Sequence, residues 1–177
     1  LFGELSALQP AVAVGAFVDR PPPLPLRRDV DTLVLDRIQD AGNAGSMLRS
    51  AAALGVAQVL ALPGSAALWS PKVLRAGMGA HFALALHEAV AEEALLALGL
   101  PLVGTSSHAG DPLPAAALPR PCAWIFGHEG QGVAPRLLEC CTAVVAVPQP
   151  GGEESLNVAA ATAICLYESL RRRLQAR

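Results

Sequence analysis

From Leu33 onward, short apolar runs alternate with stretches whose apolar residues recur at helical spacing. The runs cover Leu33–Ile38, Gln58–Leu62, Phe82–Leu86, Pro101–Gly104, Cys122–Phe126 and Ala143–Val147, each long enough for one strand. Between them the spacing predicts helices over 44–54, 71–78, 89–98, 133–140 and 155–173. Successive positions in the runs are apolar, as in strands buried on both faces. Buried strands alternating with helices predict an α/β fold with a mostly parallel sheet flanked by helices. On the wheel of the first helix, Ala44, Met47, Leu48, Ala51 and Leu54 share the core side, while Arg49 lies opposite with Ser46 and Ser50. Gly55 stands where a helix would stop. No internal repeat is visible.

Residues 1–30 follow another pattern and are expected to form a connector, with the globular domain at 31–177. Ala11 to Val18 is apolar enough for one strand. Pro21, Pro22, Pro23 and Pro25, followed by Arg27 and Arg28, make a stiff, exposed link. The chain begins with Leu instead of Met, so residues upstream are expected to exist or to have been removed.

Composition narrows the class. Of the 177 residues, 53% are hydrophobic and 16% charged, which excludes a disordered or coiled-coil chain. The most apolar window, Val158 to Tyr167, is about half the length of a spanning helix and reads as a core helix. No signal-peptide pattern opens the chain. A net charge of −2 argues against a chain-wide basic field for nucleic acid but leaves room for a local basic face. Lys72 is the one lysine among 13 basic residues, a bias that a GC-rich genome explains as well as phosphate binding does. Cys122, Cys140, Cys141 and Cys165 lack metal-site spacing, and adjacent Cys140 and Cys141 are a poor disulfide pair. Reduced thiols in a cytoplasmic protein without a metal site are the economical reading.

Three stretches are chemically unusual. Asp36 to Ser50 runs from a strand end through a Gly-containing turn into a helix, where Asn43 is placed to act as the cap. Ile125 to Val133, IFGHEGQGV, puts three glycines and Glu129 between a strand and a helix, a backbone able to approach a ligand closely. The spacing is not that of a dinucleotide fingerprint. Val147 to Asn157, VPQPGGEESLN, again joins strand to helix; Ser155 or Glu154 could cap that helix, which leaves Asn157 unexplained in its first turn. All three lie at C-terminal ends of predicted parallel strands, where open α/β sheets bind ligands.

Together these stretches resemble the three ordered motifs of the SpoU/TrmH family of RNA ribose 2′-O-methyltransferases, in the SPOUT superfamily. The likeness is carried by Asn43, Ala44, Gly45 and Arg49, by Phe126 to Gly132, and by Val147 and Pro148 with Glu154 to Asn157, and extends from about Leu33 to Leu170. Ser6 to Arg20 is similar to the connector that follows an N-terminal RNA-binding domain in some members. The chain departs from the family in having Ala41 after Asp40, where proline is usual.

The resemblance implies a C-terminal trefoil knot, which sequence physics alone would not propose, together with a homodimer and S-adenosyl-L-methionine as cofactor. It implies that Thr105, Gly127, Val147 and Leu156 contact the cofactor, largely through backbone. It also implies catalytic roles for Arg49, Asn43, Glu129, Ser155 and Asn157. Arg49 holds its proton too firmly to be an easy base, so an electrostatic clamp on a developing ribose alkoxide is the favoured role, with base action left open. His81, His87, His108 and His128 match no catalytic position. The expected partner is RNA, ribosomal more than transfer RNA. A non-catalytic knotted domain binding RNA or cofactor is the rival from another class. The apolar stripe Leu156, Ala160, Ala163, Ile164 and Tyr167 is a candidate for core and for dimer interface, core being the simpler. Arg171, Arg172 and Arg173 read as a solvated helix end.

Overall fold

The computed structural model describes residues 19–22, 24–151 and 155–175. The expected strand at Ala11 to Val18 and the expected cap at Glu154 lie outside them. Seven strands form one sheet: β1 (Thr32–Asp36), β2 (Gln58–Ala61), β3 (Ala85–His87), β4 (Leu102–Thr105), β5 (Asp111–Pro112), β6 (Ala123–Gly127) and β7 (Ala143–Ala146). Their spatial order is β3-β2-β1-β6-β4-β7-β5, and every pairing is parallel. All residues of β1 and β6 are buried, as the apolar stretches Leu33–Leu35 and Ala123–Phe126 require, with Thr32 and Asp36 buried as polar ends of β1.

The helices are α1 (Ala41–Ala53), α2 (Pro71–Gly77), α3 (Glu92–Ala97), α4 (Pro135–Glu139) and α5 (Val158–Gln175). Two apolar clusters flank the sheet. One joins Leu33, Leu35 and Phe126 to Met47 and Leu48 of α1, Val73 of α2, and Cys165 and Leu166 of α5. The other joins Val34, Leu60 and Ile125 to Leu95 of α3 and Leu137 of α4. The molecule is a three-layer α/β sandwich, as the alternation of runs predicted.

Several boundaries differ from the sequence reading. β1 stops at Asp36 because Arg37 turns the chain with φ of 57°. α1 starts at Ala41, three residues early, because Asp40 is the cap: its carboxylate accepts the Asn43 N–H at 2.7 Å. Asn43 is therefore not the cap. Phe82 belongs to a 3-10 turn, Ala80–Phe82, and β3 begins at Ala85. Met78 and Gly79, both at positive φ, turn the chain there and leave Phe82 in solvent. β5, with only two residues, is too short for a periodicity to show.

α5 also starts later than predicted, at Val158. Asn157 caps it, its side-chain oxygen accepting the N–H groups of Ala159 at 2.9 Å and Ala160 at 3.3 Å, so neither Ser155 nor the first-turn placement of Asn157 holds. The face α5 buries is Thr162, Cys165 and Leu166. Leu156, Ile164 and Tyr167 are 39%, 41% and 58% exposed, which overturns the core reading of that stripe.

The arginine run is likewise no solvated end. Glu168 receives Arg171 and Arg172 at 2.6 Å each. Arg172 also donates to the carbonyls of Leu113, Pro114 and Ala116, and Trp124 of β6 donates its indole N–H to Ser169 at 3.2 Å. α5 is thereby tied both to the sheet and to the segment after β5.

Candidate active site

The three unusual stretches meet at the C-terminal edge of the sheet, after β1, β6 and β7. α1 presents Asn43 in its first turn, the loop after β6 presents Glu129, and the start of α5 presents Asn157. Asn43 donates from Nδ2 to Glu129 Oε1 at 3.1 Å, and Asn157 donates from Nδ2 to Asn43 Oδ1 at 2.9 Å. Because Asn157 Oδ1 is occupied by the N–H groups of α5, each amide has one orientation. The chain of hydrogen bonds runs in one direction, from the N-terminus of α5 to the carboxylate of Glu129. Burial raises the Glu129 pKa, but the hydrogen bond from Asn43 and the N–H groups of Glu129, Asp40 and Gln39 outweigh it, and the net shift is downward. Glu129 is thus an anion at neutral pH, held as an acceptor.

Two residues that sequence reasoning passed over hold the Glu129 loop. Asp36 is 2% exposed; it receives Arg37 on both oxygens, at 2.9 and 3.0 Å, and the Ala134 N–H at 2.7 Å. Arg37 continues to Gln131 Oε1 at 2.9 Å and the Gly132 carbonyl at 3.2 Å. Asp36 raises the Arg37 pKa through its hydrogen bonds, so the clamp stays charged. The adjacent Asp-Arg pair at a strand end was a visible signal, but the left-handed turn that aims Arg37 was not. Gly127 is required for a related reason: a Cβ there would lie 2.1 Å from backbone atoms of Gly132 and Val133. The loop folds back on its own start, so this glycine permits a close approach of backbone to backbone.

Beside the polar chain lies a cleft of about 510 Å³. Thr105, Gly127, Val147 and Leu156 line it, as do Glu129, Ser155 and Asn157. Thr105 spends its hydroxyl proton on the Ile125 carbonyl at 2.9 Å. Apolar walls from Phe126, Val145 and Val147 beside loop backbone make a site for a flat, weakly charged group. Asn43 touches this constellation from outside the cleft. Arg49 does not join it: the side chain is exposed on α1 and has no hydrogen-bond or salt-bridge partner among the described residues. Of the histidines, His108 and His128 line the cleft, and His128 accepts the Gly130 N–H, bracing the loop. Among the described residues no cluster of metal-ligating side chains occurs and no helix is long and apolar enough to cross a membrane.

The parallel sheet thus carries all three motifs, in order, at its C-terminal edge. The SpoU rRNA Methylase family profile matches residues 31–167, and the chain belongs to that family. It is 41% identical over 143 residues to an uncharacterized tRNA/rRNA methyltransferase of Synechocystis, covering 78% of this chain and 52% of that protein. It is 37% identical over 147 residues to the 23S rRNA (guanosine-2′-O-)-methyltransferase RlmB of Nitrosomonas europaea, covering 81% and 56%. The SpoU methyltransferase AviRb of Streptomyces viridochromogenes, solved in complex with AdoMet, superposes with a TM-score of 0.76 at 31% identity, covering 85% of this chain and 63% of that one. The chain spans about half the length of the curated relatives it matches.

Proposed function

We propose that this chain is the catalytic domain of an RNA ribose 2′-O-methyltransferase acting on ribosomal RNA. The observation that carries the reading is the one-directional hydrogen-bond chain from α5 through Asn157 and Asn43 to Glu129, built from all three motifs at the mouth of the cleft. The ribosomal target is supported by the RlmB relative. S-adenosyl-L-methionine, whose sulfonium methyl is the group transferred, fits the cleft: backbone at Gly127 and apolar side chains at Val147 and Leu156 suit adenine, and Thr105 flanks it.

A neutral ribose hydroxyl is a weak nucleophile, so the site must align it and stabilise the developing alkoxide. Asn43 and Asn157, fixed in orientation by their mutual bond, and Ser155 at the cleft hold the ribose. Glu129 keeps Asn43 aimed. Arg49, exposed and without a partner among the described residues, takes the developing alkoxide and the neighbouring phosphate when RNA lies across α1, and the hydroxyl proton is released to water as the oxygen–methyl bond forms. The outward stripe of Leu156, Ile164 and Tyr167 supports a homodimer through α5. A C-terminal trefoil knot, a connector at 1–30 ahead of a domain at 31–177, and a cytoplasmic location complete the reading.

Titration calorimetry with S-adenosyl-L-methionine should give one site per chain, and the chain should transfer methyl from it to ribosomal RNA. Arg49→Ala should retain that binding and lose transfer by at least about a hundredfold, as loss of an oxyanion-stabilising donor does. Full transfer by Arg49→Ala sinks the role given to Arg49, and no cofactor binding by the wild type sinks the enzyme reading.

A further inference from the structure

From Ala41 to His87 the chain contains no Asp or Glu, although it has 15 acidic residues and a net charge of −2. Within that stretch lie the cations Arg49, Lys72 and Arg75. All three side chains are exposed, and none has a hydrogen-bond or salt-bridge partner among the described residues. Many arginines elsewhere are ion-paired, as at Arg27–Asp29, Arg37–Asp36 and Arg171–Glu168, so these three cations make a local basic field on a net-negative molecule.

The same segment exposes large apolar groups where they gain nothing from the core. Phe82 is 97% exposed, Met78 70% and Leu74 40%. Phe82 is set out in solvent by the Met78–Gly79 turn and is free to offer a ring face. α2 is rigidly joined to the site: Gly45 of α1 packs so closely on it that a Cβ there would lie 2.4 Å from the Ala76 Cβ. Gly45 is two residues from Asn43 and one turn from Arg49.

Unpaired cations interleaved with an exposed aromatic ring are the recognition chemistry of an unpaired nucleic-acid strand. Phosphates take the cations, and a base stacks on the ring. We infer that the exposed side of α1, α2 and the 3-10 turn, elements with no acidic side chain of their own, is an RNA-docking surface. It holds single-stranded RNA flanking the modified nucleotide, with Phe82 as a base-stacking platform and Lys72 and Arg75 on phosphates. The inference rests on the methyltransferase reading above and extends it by naming the surface that grips the substrate. Charge decides between occupants: a second copy of this chain, itself net negative but with this same face basic, would have to bring like charges together in a symmetric contact.

The test uses the full 177-residue chain and a fluorescein-labelled, mixed-sequence RNA of about 12 unpaired nucleotides, read by fluorescence anisotropy across a salt series. Phe82→Ala should weaken binding roughly five- to a hundredfold, the range for loss of one stacked base, and Phe82→Trp should restore it. Lys72→Glu with Arg75→Glu should weaken binding and flatten the salt dependence, because fewer counterions are released. Cofactor titration should be unchanged in every variant, which shows that the domain is intact. Wild-type affinity in Phe82→Ala overturns the inference. So does a smaller sedimenting species for Phe82→Ala, which makes the face a contact between copies. If the wild type binds the cofactor and modifies ribosomal RNA yet Phe82→Ala does both equally well, the docking surface falls and the methyltransferase reading stands. If the wild type shows neither cofactor binding nor transfer, that reading itself has failed.

Discussion

Asn157 does two things with one amide. Its oxygen caps α5 and its nitrogen orients Asn43, so a single side chain couples the stability of a helix to the geometry of the site. Asn157→Ala should therefore cost about 1 kcal/mol, the usual worth of an N-cap, lowering the melting temperature by about 2–4 °C for a chain of this size. Asn157→Ser or Asn157→Asp should recover the cap and the stability, because either oxygen can accept the N–H groups of α5. Neither has an amide N–H₂ for Asn43, so methyl transfer should stay low in both. Thermal unfolding and a transfer assay on the three variants separate the two roles. The motif residues were legible from sequence through the resemblance of three ordered stretches, with Asn157 standing out as a poor helix former at an apolar helix start. Their bonding was not, since Asn43 and Asn157 are far apart in the chain and only the fold reveals that Asp40, and not Asn43, caps α1.

Among elements, the loop from Gly127 to Val133 owes its shape to a neighbour. Arg37, held by buried Asp36, spans to Gln131 and Gly132 and so fixes the loop that carries Glu129. Its φ of 57° is an unfavourable conformation for a side chain of this size, and backbone strain of this kind costs on the order of 1–3 kcal/mol. Arg37→Gly should relieve the strain but release the loop and leave the buried Asp36 carboxylate without its counter-ion, so the fold should lose stability on balance and the cofactor affinity should fall by about tenfold, the effect of one lost charge-assisted bond. Calorimetry with S-adenosyl-L-methionine beside urea unfolding checks both halves; unchanged affinity would show that the loop holds itself. Sequence patterns read the sheet well because β1, β6 and their neighbours are buried on both faces and leave continuous apolar runs. They failed where local backbone turned the chain: at Arg37, at Met78 and Gly79 ahead of β3, and at the two-residue β5. They also assigned the wrong face of α5 to the core, because Thr162 looks polar, although its hydroxyl is satisfied by the Val158 carbonyl at 2.8 Å.

At the scale of the molecule, α5 spans the last part of the chain and must be held against it while leaving an apolar stripe outside. The buried face of Cys165 and Leu166 packs it on the core, and a charged clamp within the helix adds to that hold. Glu168 receives Arg171 and Arg172, and these hydrogen bonds depress its pKa to about 2. Arg172, so fixed, reaches the carbonyls of Leu113, Pro114 and Ala116, the segment between β5 and β6. A carboxylate whose pKa is lower in the folded state than in the unfolded chain stabilises the fold above its unfolded value, near 4.5, and loses that contribution as pH falls toward the folded value of about 2. Glu168→Gln removes the charge but keeps the size and one acceptor. It should lower the urea midpoint at pH 7, where the wild-type clamp is fully formed, and the gap between the two proteins should narrow steadily from about pH 4.5 toward pH 2, because the carboxylate of the unfolded wild-type chain takes up a proton that the folded state does not yet bind. A constant gap from pH 7 to pH 3 would mean that packing and not charge secures α5. Because the residues of the outward stripe make no part of this clamp, the same substitution should leave the sedimentation coefficient at pH 7 unchanged, whereas Tyr167→Glu, placed in the stripe, should dissociate the proposed dimer without moving the pH dependence.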